Sequence, residues 1–170
     1  MPVLAAGGIA DGRGLAAALA LGAQGVWMGT RFLAARESAS HRVYREAQLG
    51  PAPQDASYTR CFDGGWPHAP HRALRNSTMA DWEAAGSPPA PDRPGEGTVL
   101  ATDGEGGAHH RYDDTVPLSG MSGDLEAIAL YAGQSVGLVN NMAGAAEIVT
   151  DVVAHARRLT RVPRRPDDGT

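Results

Sequence analysis

Two short apolar runs near the start of the chain, each ending in glycine, constrain the fold more than any other feature of the sequence. Val3, Leu4, Ala5 and Ala6 run into Gly7-Gly8, and Gly25 to Met28 run into Gly29-Thr30. A continuous apolar stretch of this length, bounded by glycine, reads as a strand covered on both faces. Between the two runs, Asp11 is a candidate N-cap for a helix over Gly12 to Leu21. Leu15, Ala18, Leu19 and Gly22 recur there at helical spacing, with Gly22 as the stop. A helix of about three turns between two such strands makes them parallel neighbours joined by a right-handed crossover. Met1 to Thr30 is therefore expected to form one βαβ unit. Such a unit is covered on both faces only when further strands and helices flank it, so the chain is expected to begin inside a larger α/β fold.

In a parallel pair, both glycine turns open on the same C-terminal edge of the sheet. Glycine at that edge lets the backbone approach a phosphate and present N–H groups to it. An isolated Gly-Gly pair usually serves only a tight turn; two such turns on one edge favour a phosphate or a phosphorylated cofactor. In (β/α)8 barrels the phosphate site is commonly built by the loops after the seventh and eighth strands, which makes this unit the last two strands of such a barrel. Arg13 and Arg31 are candidates to neutralise the anion.

Beyond Thr30 the spacing predicts a helix over Ser38–Leu49, an extended stretch over Tyr58–Phe62 and a helix over His71–Ala85 anchored by Leu74 and Trp82. Trp66 and Trp82 are expected to fill a satellite core. The 22 glycines and 12 prolines cluster between the periodic segments, most densely in Gly86–Gly97, which is expected to be irregular. Thr98–Thr102 and Arg111–Val116 flank a hairpin tip at Asp103–Gly107. A helix starting near Ser122 or Asp124 is predicted from Leu125, Ile128, Ala129 and Ala132. A last helix is predicted from Ala145, Ile148, Val149, Val152 and Ala156, with Arg157, Arg158 and Arg161 near its C-terminal end, where the helix dipole favours cations. The expected organisation is a βαβα barrel part over 1–49, a loop-rich extension over 50–117, C-terminal helices over 118–162 that pack back on the barrel, and a frayed tail over 163–170.

Charge and composition narrow the partners. All 15 basic residues are arginines, the net charge is −4 and no basic stripe emerges, so nucleic-acid binding is not expected. No apolar run approaches the ~20 residues needed to cross a bilayer, and the weak likeness of Leu15–Leu21 to a secretory signal fails because Asp11 cancels Arg13. The single cysteine, Cys61, cannot form an internal disulfide or a thiolate-rich zinc site, and a reducing cytoplasmic setting follows as the default. Pro67 and Pro70 break any helix that would align His68 with His71, so no metal is expected. Oligomerisation is left open.

The run AAGGIADGRGLAAALALGAQGVWMGTRFLA, Ala5 to Ala34, resembles the FMN-phosphate region of the nitronate monooxygenase family, formerly called 2-nitropropane dioxygenases. The stretches TRCFDGGWPHAPHRALRNST and RYDDTVPLSGMSGDLEAIALYAGQSVGLV resemble the C-terminal part of the same family. The resemblance implies the C-terminal portion of an FMN-binding (β/α)8 barrel with a mostly helical extension. It implies that Gly7, Gly8, Gly29 and Thr30 hold the FMN phosphate through backbone N–H groups and the Thr30 hydroxyl. Gln134 and Ser135 are implied to approach the flavin or close the site. The reaction implied is oxidation of alkyl nitronates or nitroalkanes, with the small-molecule substrate and oxygen as the partners. The family's proton-abstracting histidine lies upstream of the βαβ unit, so no catalytic residue is assigned in this chain, and weak or no FMN binding and no turnover are expected of it alone. Two other readings stay open: another FMN- or phosphate-binding barrel, such as a flavin enoyl-acyl carrier protein reductase or an IMP dehydrogenase-like barrel, and a truncated, non-catalytic remnant.

Overall fold

The computed structural model describes residues 1–161. The chain opens as expected: β1 (Leu4–Ala6), α1 (Gly12–Ala20) and β2 (Gly25–Trp27) form a βαβ unit whose strands pair in parallel. The Asp11 carboxylate caps α1 by accepting the Arg13 N–H at 2.9 Å, and Gly22 ends the helix region with φ of 95°, a conformation that favours glycine. The strands are not covered on both faces. Leu4, Ala6 and Trp27 point to one face by alternation and are exposed, Leu4 at 55% and Trp27 at 70%, while Ala5 and Val26 on the other face are half-buried.

Two short helices follow, α2 (Thr30–Leu33) and α3 (Arg42–Ala47), and then an antiparallel pair, β3 (Ala56–Thr59) and β4 (His71–Leu74). The helix expected over His71–Ala85 is thus two elements. Asn76 divides them: its backbone is extended, and its side chain accepts the Met79 N–H at 3.1 Å, starting α4 (Ser77–Ala84). A second antiparallel sheet contains β5 (Val99–Thr102) between β6 (Ala108–His110) and β7 (Ser122–Gly123). The hairpin arm therefore lies before the expected Arg111–Val116. Residues 86–97 contain neither helix nor strand. Arg93 ties them down, bonding Asp63 at 2.5 Å and Glu96, with its guanidinium 4.2 Å from the Tyr112 ring centroid. Trp82 packs against the core around Phe62 and Met79, whereas Trp66 is exposed rather than part of it.

The largest departure is in 118–162, where the extension is not mostly helical. One long helix, α5 (Ala145–Thr160), and a 3-10 turn over Gln134–Leu138 are present, and the helix expected from Ser122 or Asp124 is instead β7 followed by an irregular segment of turns and bends. Ala127 to Leu130 are all buried, Ala127 and Ile128 in one core, Ala129 in a second and Leu130 in a third. A buried backbone that is neither helix nor sheet must find hydrogen-bond partners outside itself. Asn76 Nδ2 donates to the carbonyls of Glu126 (2.8 Å) and Ile128 (2.9 Å), Thr78 Oγ1 to Ala127 (2.6 Å) and the Leu74 N–H to Leu130 (2.8 Å). Tyr44 completes the set by donating to the Tyr131 carbonyl at 2.7 Å. Apolar periodicity cannot separate this arrangement from a buried helix.

The α5 helix buries Ile148, Val152 and Ala156 and leaves Val149 exposed; Arg157 and Arg158 occupy its last turn. It packs on α1 at Gly12, where an added Cβ would lie 2.5 Å from His155 Cβ and 2.7 Å from the Val152 carbonyl oxygen. Residues 162–170, including the tail expected over 163–170, lie outside the described residues. No described helix is long and apolar enough to cross a membrane.

Two substitutions test this arrangement by urea unfolding. Gly12→Ala forces α1 from α5 and should lower stability by about 2 kcal/mol. Asn76→Ala removes three hydrogen bonds at once, two of them buried, and should cost about 3 kcal/mol, with unfolding no easier than wild type as the contrary result.

Candidate functional site

The register of β1 and β2 fixes the site. Leu4 pairs with Gly25, Ala5 with Val26 and Ala6 with Trp27, so the chain leaves both strands at the same edge, into Gly7-Gly8 and into Gly29-Thr30. Neighbouring strands are about 4.8 Å apart, which sets the scale of separation of the two turns. Gly7 and Gly8 have φ of 90° and 72°, a left-handed conformation that favours glycine, and nothing lies within 4 Å of a Cβ built on either. The same open space surrounds Gly29. Among the described residues, the N–H groups of Gly7, Gly8 and Gly29 have no backbone acceptor. This rim thus offers unengaged donors and room for a group to approach the backbone.

A third segment closes on the rim from far along the sequence. The Gly133 N–H donates to Thr30 Oγ1 at 3.0 Å. A hydroxyl that accepts here still has its own proton to give, so Thr30 can donate to a further oxygen. Gly29, Thr30, Tyr44, Arg72, Tyr131 and Gly133 are among the residues around an open cavity of about 390 Å³, and among the described residues no carboxylate lines it. Burial, with added repulsion from Asp114, pushes the Tyr131 phenol up to about 12, so it is neutral and protonated at ordinary pH. The lining is a donor set suited to an anion.

The sequence-derived candidates divide among three positions. Gly29 and Thr30 line the cavity, and Gly7 and Gly8 lie on the same edge beside it without lining it. Gln134 is exposed and Ser135 is buried; both follow Gly133 in the 3-10 turn, and neither lines the cavity. Arg13 and Arg31 do not serve the rim. Arg13 is paired with Asp11 at 2.6 Å, and Arg31 is buried, donating to the Asn141 backbone and side-chain oxygens at 3.1 and 2.8 Å. Sequence reasoning missed Tyr44, Arg72, Tyr131 and Gly133. Only tertiary contact brings them here, although the glycine before Gln134 was a visible signal.

A larger cavity, about 790 Å³, lies in the extension between Trp82, Arg60 and Arg111. Volume alone favours it, but its Arg93 and Arg111 are already paired with carboxylates, and none of the glycine-turn residues reaches it. No histidine lines the cavity at Thr30. His71, the nearest to it in sequence, lies against Tyr131 with ring centroids 5.0 Å apart, and its Nδ1 is 3.0 Å from the Ala69 carbonyl oxygen.

The family model for nitronate monooxygenase matches residues 1–155. The chain belongs to the nitronate monooxygenase family. It is 36% identical over 160 residues to a nitronate monooxygenase of Pseudomonas aeruginosa, covering 92% of this chain and 40% of that protein. A nitronate monooxygenase of Paraburkholderia phytofirmans is 33% identical over 155 residues, covering 89% of this chain and 37% of the relative. This chain therefore spans about two fifths of the length of these curated relatives. Among solved structures, FabK from Thermotoga maritima matches with a TM-score of 0.62 and 29% identity, over 94% of this chain and 45% of that one. A nitroalkane oxidase from Streptomyces ansochromogenes matches with a TM-score of 0.56 and 25% identity, over 93% of this chain and 40% of that one.

The Thr30 hydroxyl as the tie between the rim and the distant segment is tested by Thr30→Val, which preserves shape and removes the acceptor. Amide hydrogen exchange at Gly133 should accelerate about tenfold, with Thr30→Ser restoring protection. Unchanged exchange in Thr30→Val would mean that the bond is not made in solution.

Proposed function

We propose that this chain carries the FMN-phosphate-binding part of an FMN-dependent nitronate monooxygenase, an oxidoreductase acting on alkyl nitronates or nitroalkanes. On this reading the βαβ unit is the last pair of strands of a (β/α)8 barrel, and Gly7, Gly8, Gly29 and Thr30 hold the phosphate. The observation that carries it is the parallel register of β1 and β2, which brings two glycine turns with unengaged N–H groups to one edge of the sheet. Open space at these glycines fits a close-approaching phosphate, and the absence of carboxylates from the adjoining cavity fits its charge.

The chain's own residues bind and orient. Backbone donors at both turns grip the phosphate oxygens, and the Thr30 hydroxyl, anchored by Gly133, adds a donor whose position is set from the far side. Gln134 and Ser135, following Gly133, bound the site from that side. FMN, when bound, supplies the transfer of electrons from nitronate to oxygen. With no histidine at the cavity, the proton-abstracting base is assigned to a segment upstream of the βαβ unit, in line with the family resemblance.

Titration of the 15N-labelled chain by NMR tests this even at weak affinity. FMN and inorganic phosphate should shift the amide signals of Gly7, Gly8, Gly29 and Thr30, while riboflavin, which lacks the phosphate, should not. Addition of a nitronate and FMN to this chain alone should give no turnover. Glycine signals indifferent to both phosphate-bearing ligands would refute the assignment.

A further inference from the structure

We propose that Arg72 is the cation that faces the phosphate at this site, giving it preference for a phosphorylated ligand over a neutral one. The inference rests on the phosphate reading above and adds to it the charge that the backbone donors lack.

The other arginines near the rim in sequence are committed elsewhere: Arg13 is paired with Asp11, and Arg31 is turned to Asn141. Among the described residues, Arg72 is the one cationic residue lining the cavity that Gly29, Thr30 and Gly133 also line. Its placement follows from the sheet. In the β3–β4 register Arg72 sits opposite Tyr58, and Leu74 opposite Ala56, so Arg72 shares the face of β4 that carries Leu74. Leu74 packs into the core formed with Tyr44, Ala132 and Val136, which turns this face toward the cavity wall. The Arg72 backbone is fastened to the same wall, its carbonyl oxygen accepting the Ala132 N–H at 3.1 Å, one residue before Gly133.

The side chain is oriented without being neutralised. Nη1 donates to the Ala56 carbonyl oxygen at 2.7 Å, and the guanidinium carbon lies 5.7 Å from the Tyr58 ring centroid. Among the described residues Arg72 makes no ion pair, and Nε and Nη2 have no acceptor. A half-buried guanidinium with two groups of donors unspent, no carboxylate partner, and a carboxylate-free cavity before it matches the geometry of phosphate oxygens, which it can engage in paired, charge-assisted hydrogen bonds.

The NMR titration separates this inference from the reading beneath it. Arg72→Met keeps the aliphatic stem and removes the charge; it should weaken FMN and inorganic phosphate binding about tenfold or more, leave the response to riboflavin unchanged, and flatten the salt dependence of phosphate binding. Arg72→Lys should recover part of the affinity, and the dispersed spectrum of each variant reports directly that it is folded. If Arg72→Met binds FMN as wild type does while the glycine amides still shift, the role of Arg72 is overturned and the glycine cradle stands. A loss of FMN binding in Arg72→Met with inorganic phosphate bound as in wild type would also overturn it, since Arg72 would then serve the ring or the fold. A wild-type chain in which neither FMN nor phosphate moves the glycine signals overturns the cradle, and this inference with it.

Discussion

An irregular, largely buried stretch of chain from Glu126 to Gly133 is the constraint on which the rest of the structure depends. Each carbonyl taken from water without a partner would cost on the order of 1–3 kcal/mol, so the segment exists only because neighbouring elements supply donors. Asn76 and Thr78 from the start of α4, the backbone of β4 and the hydroxyl of Tyr44 meet it in turn. Its apolar side chains divide among three cores, joining layers whose strands belong to separate sheets. At its end the roles reverse, and the Gly133 N–H becomes the donor, to Thr30 Oγ1. The segment thus joins the packing of the extension to the rim of the parallel strands.

That dependence explains which parts were legible in the sequence. The βαβ unit could be read because its signals are local: two apolar runs, an Asp cap, a stripe at helical spacing and glycines at each stop. The location of Gly7, Gly8, Gly29 and Thr30 on one edge follows from those signals and a topological rule. The stretch around Leu125, Ile128, Ala129 and Ala132 was misread as helix because its residues are apolar for a different reason, burial between cores rather than along one face. The partners that satisfy it are about 50 residues away, as with Asn76 and Ile128, and no local pattern encodes them. Asn76 was the missed clue within His71–Ala85: an Asn followed by Ser-Thr is a helix start, and it divides strand from helix.

The distant half of the site was hidden for the same reason. Tyr44, Arg72 and Tyr131 come from three separate elements, and each is explained locally by something unremarkable: a core tyrosine, a strand arginine, an aromatic beside a glycine. The pairing of β4 with β3, the bridge from Ala73 to Tyr131 and the bond from the Tyr44 hydroxyl to the Tyr131 carbonyl bring them together beside Thr30. The family resemblance implies Gln134 and Ser135, yet the residue before them carries the contact with Thr30, through a backbone N–H that side-chain chemistry does not advertise.

The glycine rim is held less by its sheet than by what packs beneath it. Two strands paired over three residues cannot stabilise themselves, and one of their faces is uncovered at Leu4, Ala6 and Trp27. Support comes instead from α1 on the other face, and α1 is held in turn by α5 at a contact close enough to exclude any side chain at Gly12. Backbone donors bind an anion well only if they are fixed before it arrives, since ordering them on binding would consume much of the affinity. The helix pair fixes the first turn, through the short Ile9-Ala10 connection, and the Thr30–Gly133 bond fixes the second. On the proposed reading, anion affinity at the rim is therefore a property of packing in α5 and in the Glu126–Gly133 segment, more than 90 residues away in the chain, as much as of the glycines themselves.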